Sequence, residues 1–230
     1  MSDEQDVQRH SRALDAELIA DQDERARAEA RNGLRQFDRT IEIIETFLQK
    51  PERPFRLRLS MILDLHRVAP DGISSYAGNF RPAGVAIGGS AHSPPPAHLV
   101  PALVEEMCDY LNERFDSSSA VHLAAYVMWR LNWIHPFADG NGRTSRATSY
   151  LVLCMRLRER LPGSDTIPEQ IVRNRGPYFA ALDAADTAAR NGTVDVSKME
   201  VLLGGMLAAQ LLSVVERAVG TAISSTAIFH

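Results

Sequence analysis

The chain has 230 residues, 45% of them hydrophobic, enough for one substantial core and an argument against two independent domains. Its formal net charge is -4 with 23% charged residues, so it lacks the basic surplus needed to neutralise nucleic-acid phosphates, and nucleic acid is excluded as the expected partner. Cys108 and Cys154 lie in apolar runs without metal-ligand or paired spacing and are expected to be buried thiols. The acidic Met1–Asp6 start is not followed by a signal-type apolar stretch, and together these features predict a cytoplasmic chain.

In chain order, Ser11 to Phe47 is rich in Ala, Glu, Arg, Leu and Ile and predicts one or two amphipathic helices, with Asn32-Gly33 as the break between them. Leu57 to Val68 reads as a further helix stopped by Pro70 and Gly72. Glycines and prolines then punctuate the chain, and the apolar Val85-Ala86-Ile87 between Gly84 and Gly88-Gly89 predicts a short β-hairpin. Helices resume at about Leu99–Phe115 and about Ala120–Ile134, the second apolar on nearly every side and so expected at the centre. Pro136 should end it at or just before His135, because a residue preceding proline is driven toward extended conformations.

The next helix is expected from Gly142 or Arg143, with Ala147, Tyr150, Leu151, Cys154 and Met155 at helical spacing, until Pro162-Gly163 ends it. Two more, about Pro168–Asn191 and about Ser197–Ala222, complete a mainly α fold with a short β-hairpin. The apolar tract Val201–Val215 is interrupted by Gly204, Gly205 and Gln210 and is shorter than the ~20 residues of a membrane-spanning helix, so it is expected in the core, with no membrane partner.

The chemistry-bearing residues crowd into His135–Arg146. Gly140-Asn141-Gly142 places permissive residues at a sharp turn whose successive N–H groups can converge on an anion, and the helix that follows adds its own unpaired donors and the positive end of its dipole. Arg143 and Arg146 share a face of its first turn and can reach a phosphate chain. Asp139 is a hard oxygen ligand suited to Mg2+, and His135 is the group whose ordinary pKa suits proton abstraction near neutrality. Base, metal ligand, anion cradle and two cations together describe phosphoryl or nucleotidyl transfer. Neither a Walker loop nor a dinucleotide-binding glycine pattern occurs.

His135–Arg146 matches in full the signature H-x-F-x-[DE]-G-N-G-R-x-x-R, so the chain resembles the Fic family, with similarity from about Leu57 to Leu212 that includes Gly78-Asn79-Phe80-Arg81 through Ser93-Pro94-Pro95. The resemblance implies a Fic-type helical bundle with the hairpin as a flap over the active site. It also implies an N-terminal helical extension over 1–50, a catalytic domain over 51–222 and a tail over 223–230. Most Fic proteins transfer AMP from ATP, with Mg2+, to a Ser, Thr or Tyr hydroxyl of a target protein, releasing pyrophosphate.

Carried onto this chain, His135 would deprotonate the target hydroxyl, and Asp139 would hold Mg2+ against the α- and β-phosphates. Gly140, Asn141 and Gly142 would bind phosphate oxygens, Arg143 and Arg146 the β- and γ-phosphates, and Phe137 would pack inward. Val85, Ala86 and Ile87 would offer an edge to an extended target segment by strand addition. Tyr178 is a candidate wall of the adenine pocket, the alternative being core, and His66, His92, His98 and His122 are read as structural or exposed.

Many relatives are inhibited by a helix bearing [Ser/Thr]-x-x-x-Glu-[Gly/Asn], whose glutamate pairs with the signature's second arginine. Here Glu29 lies in the right region but the motif is not met, which leaves Glu29 or Glu24 in a degenerate version, a separate antitoxin, or no inhibition. The phosphate-moving branch of the family has Lys where this chain has Gly142, so AMP transfer is favoured. Other nucleotidyl donors, phosphocholine transfer and a binding module with negligible transfer are the alternatives, and a bacterial toxin or a regulator is the expected setting.

Overall fold

Asp21 starts the first helix, α1 (Gln22–Leu48), by accepting the Glu24 N–H at 2.7 Å in a computed structural model that describes residues 17–163 and 165–226, with side chains to Val214. The Met1–Asp6 start and the end of the tail, 227–230, lie outside the described residues. α1 runs uninterrupted through Asn32-Gly33, contrary to the expected break. The Asn32 amide, 1% exposed, donates to the carbonyls of Ala69 (3.4 Å) and Asp71 (2.8 Å), so tertiary partners consume the side chain that would otherwise have turned the local backbone.

After α2 (Leu59–Val68) a turn closes through Ile73 and Ser74 N–H groups donating to the Pro70 carbonyl, and the extended segment before α1 leans on that turn through Leu18 N–H to Ile73 O at 2.8 Å. The hairpin expected around Val85–Ile87 is reduced to an extended stretch and a turn at Gly88-Gly89, where Ser90 N–H reaches Ile87 O at 3.3 Å. Ile87 makes only an isolated bridge, and no paired ladder flanks the turn among the described residues. The segment is anchored instead by side-chain bonds to its carbonyls.

A 3-10 turn over Ala97–Leu99 leads into α3 (Val100–Arg114), followed by α4 (Ala120–Ile134), α5 (Asn141–Leu157), α6 (Ile167–Arg173), α7 (Arg175–Arg190) and α8 (Ser197–Thr226). Three boundaries differ from expectation. α5 stops at Leu157, five residues before Pro162, because Arg158 turns left-handed and Glu159 N–H closes onto Cys154 O. The single helix expected over Pro168–Asn191 breaks at Asn174, since Pro177 has no N–H for the Arg173 carbonyl and its ring would clash there. α8 continues past Ala222 to Thr226.

The uniformly apolar α4 is indeed central: Leu123, Ala124, Ala125 and Val127 are fully buried, and the helix packs against α3, α5, α7 and α8. α5 packs in turn against α1, α2 and α6, so the loop between α4 and α5 emerges where both the core and the N-terminal helix can shape it. Cys108 and Cys154 are free and buried, their thiols pushed up to about 12 and about 11 mainly by burial. Among the described residues no helix is long and apolar enough to cross a membrane.

Adjacent positions on α1 should respond in opposite directions. Asn32→Ala strips the Ala69 and Asp71 carbonyls of a donor and is expected to cost about 1–2 kcal/mol. Gly33→Ala, where an added Cβ meets nothing within 4 Å, is expected to gain about 0.5–1 kcal/mol from helix propensity. Urea unfolding of the two variants checks the signs.

Candidate active site

His135 caps α4 in the left-handed conformation, φ 51° and ψ 58°, with its N–H still bonded to Leu131 O at 2.9 Å. A non-glycine residue stays there only when its surroundings hold it. The principal clamp is Arg81, 2% exposed, whose Nε donates to His135 O at 2.7 Å and whose Nη2 reaches Ile134 O at 3.5 Å and Pro95 O at 2.5 Å. Its Nη1 donates to Ala83 O at 2.9 Å and its backbone N–H to Pro136 O at 2.9 Å. One guanidinium thereby fastens both ends of the flap segment to the loop.

The other end of the loop is closed by Asn141, whose Oδ1 accepts Phe137 N–H at 2.9 Å and whose Nδ2 donates to Phe137 O at 2.8 Å. The Asn141 side chain is thus turned onto the loop backbone while still lining the cavity. Phe137 packs inward, 1% exposed, stacked on the His66 ring at 3.6 Å. His66 accepts Gly78 N–H at Nδ1 (3.1 Å), so Nε2 carries the proton and donates it to Asp139 O at 2.9 Å. Burial pushes this imidazole down to about 4. Gly140, at φ 78°, supplies the last left-handed step before α5.

The His135 imidazole has a defined tautomer. Nδ1 faces Asn132 O at 3.3 Å, and a carbonyl can only accept, so Nδ1 bears the proton and Nε2 bears the lone pair. Nε2 is buried with no hydrogen-bond partner among the described residues. Burial, outweighing the Asn132 hydrogen bond, pushes His135 down to about 4, so the ring is neutral at physiological pH.

Asp139 lies at the mouth of the glycine-rich loop, its Oδ1 accepting Gly140 N–H at 2.5 Å and Arg143 Nη2 at 3.3 Å. Arg143 Nη1 also donates to Ala69 O at 2.9 Å. Arg146 has no carboxylate partner among the described residues; it bonds the Tyr178 hydroxyl, and burial, aggravated by Arg175 and Arg143, lowers its pKa. A Cβ at Gly142 would stand 3.2 Å from Arg146 Nη1, so the glycine keeps room for that guanidinium.

These groups line one cavity of about 470 Å3, which brings together His135, Asp139, Gly140, Asn141, Gly142, Arg143, Arg146, Ile87, Tyr178 and Glu29. Val85, Ala86 and Glu24 do not line it, so of the expected flap triplet only Ile87 faces the site. Tyr178 is 2% exposed and its hydroxyl accepts from Asn132 Nδ2 at 2.9 Å, which makes it a wall held in place from behind. Glu29 approaches Arg143 at 3.8 Å, not Arg146 as the inhibitory pattern would require. A neighbouring groove of about 750 Å3, walled by Phe37, Ala147 and Tyr150, shares Arg143 and Arg146 with the site.

No cluster of three metal-ligating side chains occurs among the described residues. Asp139 alone therefore fits a cation such as Mg2+ that arrives with phosphate oxygens and completes its shell with them and with water. Sequence reasoning missed Arg25, Arg81, Asn132 and Arg175, and its reading of His66 as structural left out the loop backbone groups that His66 holds. Arg25, Asn132 and Arg175 sat in helices whose facing could not be read, while His66 and Arg81 act through backbone groups distant in sequence.

Both histidines are held neutral, so between about 6.5 and 4 the unfolded chain binds more protons than the folded one. Their contribution to stability is complete above about pH 6.5 and is lost as pH falls toward 4, which a series of melting temperatures across that window checks. Arg81→Met would leave several buried carbonyls without a donor and is expected to destabilise the fold by about 3 kcal/mol, read by denaturant unfolding.

The description of the Fic/DOC family matches residues 56–153. A protein adenylyltransferase Fic of Drosophila willistoni is 41% identical over 127 residues, 54% of this chain and 24% of that protein, so the chain spans about a quarter of that relative's length. Among solved structures, a Fic-domain signalling protein of Bacteroides thetaiotaomicron superposes with a TM-score of 0.61 at 21% identity, covering 81% of this chain and 71% of that one. A BepC effector of Bartonella tribocorum with bound AMPPNP superposes at 0.56 with 15% identity, covering 82% of this chain and 88% of that one. The matched segment contains the flap segment, the loop and most of α5, so over residues 56–153 the chain is similar to the Fic/DOC family, and the solved structures share its fold.

Proposed function

We propose that the chain is a protein adenylyltransferase that moves AMP from ATP to a Ser, Thr or Tyr hydroxyl of a target protein and releases pyrophosphate. The observation that carries this reading is the buried, partnerless lone pair of His135 Nε2 in the same cavity as the glycine-rich start of α5. A phosphate-binding site needs no such base.

The target hydroxyl gives its proton to His135 Nε2 as its oxygen bonds to the α-phosphorus, and the bond from that phosphorus to the pyrophosphate oxygen breaks. The Asn132 carbonyl then bears the hydrogen bond of the imidazolium that forms. Mg2+, when bound at Asp139, supplies charge neutralisation at the phosphates. The first turn of α5 presents N–H groups and a positive dipole end to the phosphate chain, and Arg143 and Arg146 offset the charge accumulating on pyrophosphate. Arg146, with no carboxylate to neutralise it, is the cation most ready for that role.

Ile87 at the cavity wall, with the extended and partly exposed Val85 and Ala86 beside it, supports docking of an extended target segment along the flap. Gly142, which leaves Arg146 unobstructed, supports AMP transfer over the phosphate transfer of lysine-bearing relatives. The curated relatives named as adenylyltransferases and the nucleotide analogue in the Bartonella tribocorum structure agree with ATP as donor.

Incubation with α-labelled ATP and Mg2+, alone and with cell lysate, should label protein, and His135→Ala should lower labelling at least about 100-fold, the lower range for loss of a general base. Absence of label from ATP in the wild type would overturn the reading, and transfer from another nucleotide or from a phosphocholine donor would redirect it.

A further inference from the structure

The first turn of α1 brings an arginine onto the carboxylate that faces the phosphates. Arg25 Nη2 is 3.1 Å from Asp139 Oδ2, its Nε 3.1 Å from Glu29 Oε1 and its Nη1 2.8 Å from Glu17 Oε1. All three guanidinium nitrogens thus face carboxylates, one before α1, one on α1 and one in the loop far along the chain. Arg143 completes the ring, with Nη2 3.3 Å from Asp139 Oδ2 and 3.8 Å from Glu29 Oε1.

An ionised carboxylate offers about four lone-pair sites. At Asp139 they are spoken for: Oδ1 faces Gly140 N–H and Arg143, and Oδ2 faces Arg25 and Arg143. A divalent cation bonding this carboxylate must displace one of these donors. Gly140 N–H belongs to the loop itself, and Arg143 is tethered to the Ala69 carbonyl and rooted in the buried start of α5. Arg25 stands in the exposed first turn of α1, the part of a helix that opens most readily.

We propose that Arg25 is an autoinhibitory counter-ion, a built-in cation that keeps Asp139 closed to divalent metal until the start of α1 lifts away. The inference rests on the adenylyl-transfer reading only in taking Asp139 as the carboxylate that receives the metal. The lock acts on the metal, with Glu29 holding Arg25 in place, and leaves Arg146 open.

The test is Mn2+ binding to the full chain without nucleotide, followed by the electron paramagnetic resonance of the free ion. Arg25→Ala and Arg25→Gln should each tighten Mn2+ by roughly threefold or more, a factor consistent with loss of one partly buried ion pair. Arg27→Ala, which removes the same charge from an exposed position on the same helix, should leave the affinity unchanged. In an Asp139→Asn background the Arg25 substitution should lose its effect. Unchanged affinity in both Arg25 variants, or an equal shift in Arg27→Ala, overturns the lock. Label transfer from ATP is read separately, so its failure counts against adenylyl transfer while the Mn2+ comparison still decides the lock.

Discussion

The site depends on one backbone reversal, the left-handed turn at His135 that lets α5 fold back along α4. A helix C-terminus that enters a prolyl loop in this conformation would relax without external bonds, and the bonds come from Arg81. Its guanidinium is shared among carbonyls of the loop and of both ends of the flap segment, so the position of the histidine and that of the flap are set by the same buried cation. Asn141 and His66 fasten the remainder of the loop through its own backbone groups.

Around this frame the electrostatics separate into neutral imidazoles and a cationic wall. His135 and His66 are kept uncharged by burial, while Arg143, Arg146 and Arg175 face the cavity. A neutral imidazole with a defined tautomer beside concentrated positive charge suits a reaction in which a proton leaves a hydroxyl as negative charge collects on departing phosphates. Behind burial, Arg81 also disfavours a protonated His135 and Arg143 a protonated His66.

α1 connects this site to the N-terminal part of the chain. Its Asn32 and Gln36 amides hold carbonyls of α2 and the following turn, and Arg25 and Glu29 extend the contact to Asp139 and Arg143. The helix is therefore part of the wall of the site, and its first turn, capped by Asp21 and largely exposed, is the part best able to move without disturbing the core.

The amino-acid sequence by itself determined the helical class, the central place of α4, the end of that helix at His135, and the twelve-residue run proposed to carry the chemistry. These follow from periodicity, proline and glycine sterics, and functional groups contiguous in the chain. Only the tertiary structure decided the rest: α1 is continuous because Asn32 finds distant carbonyls, the flap is tied by Arg81 without a ladder, and Glu29 meets Arg143 while Arg25 meets Asp139. In each case a long side chain satisfies a buried group many residues away. Local pattern sets which residues share a helix face, but not which distant partner that face will meet.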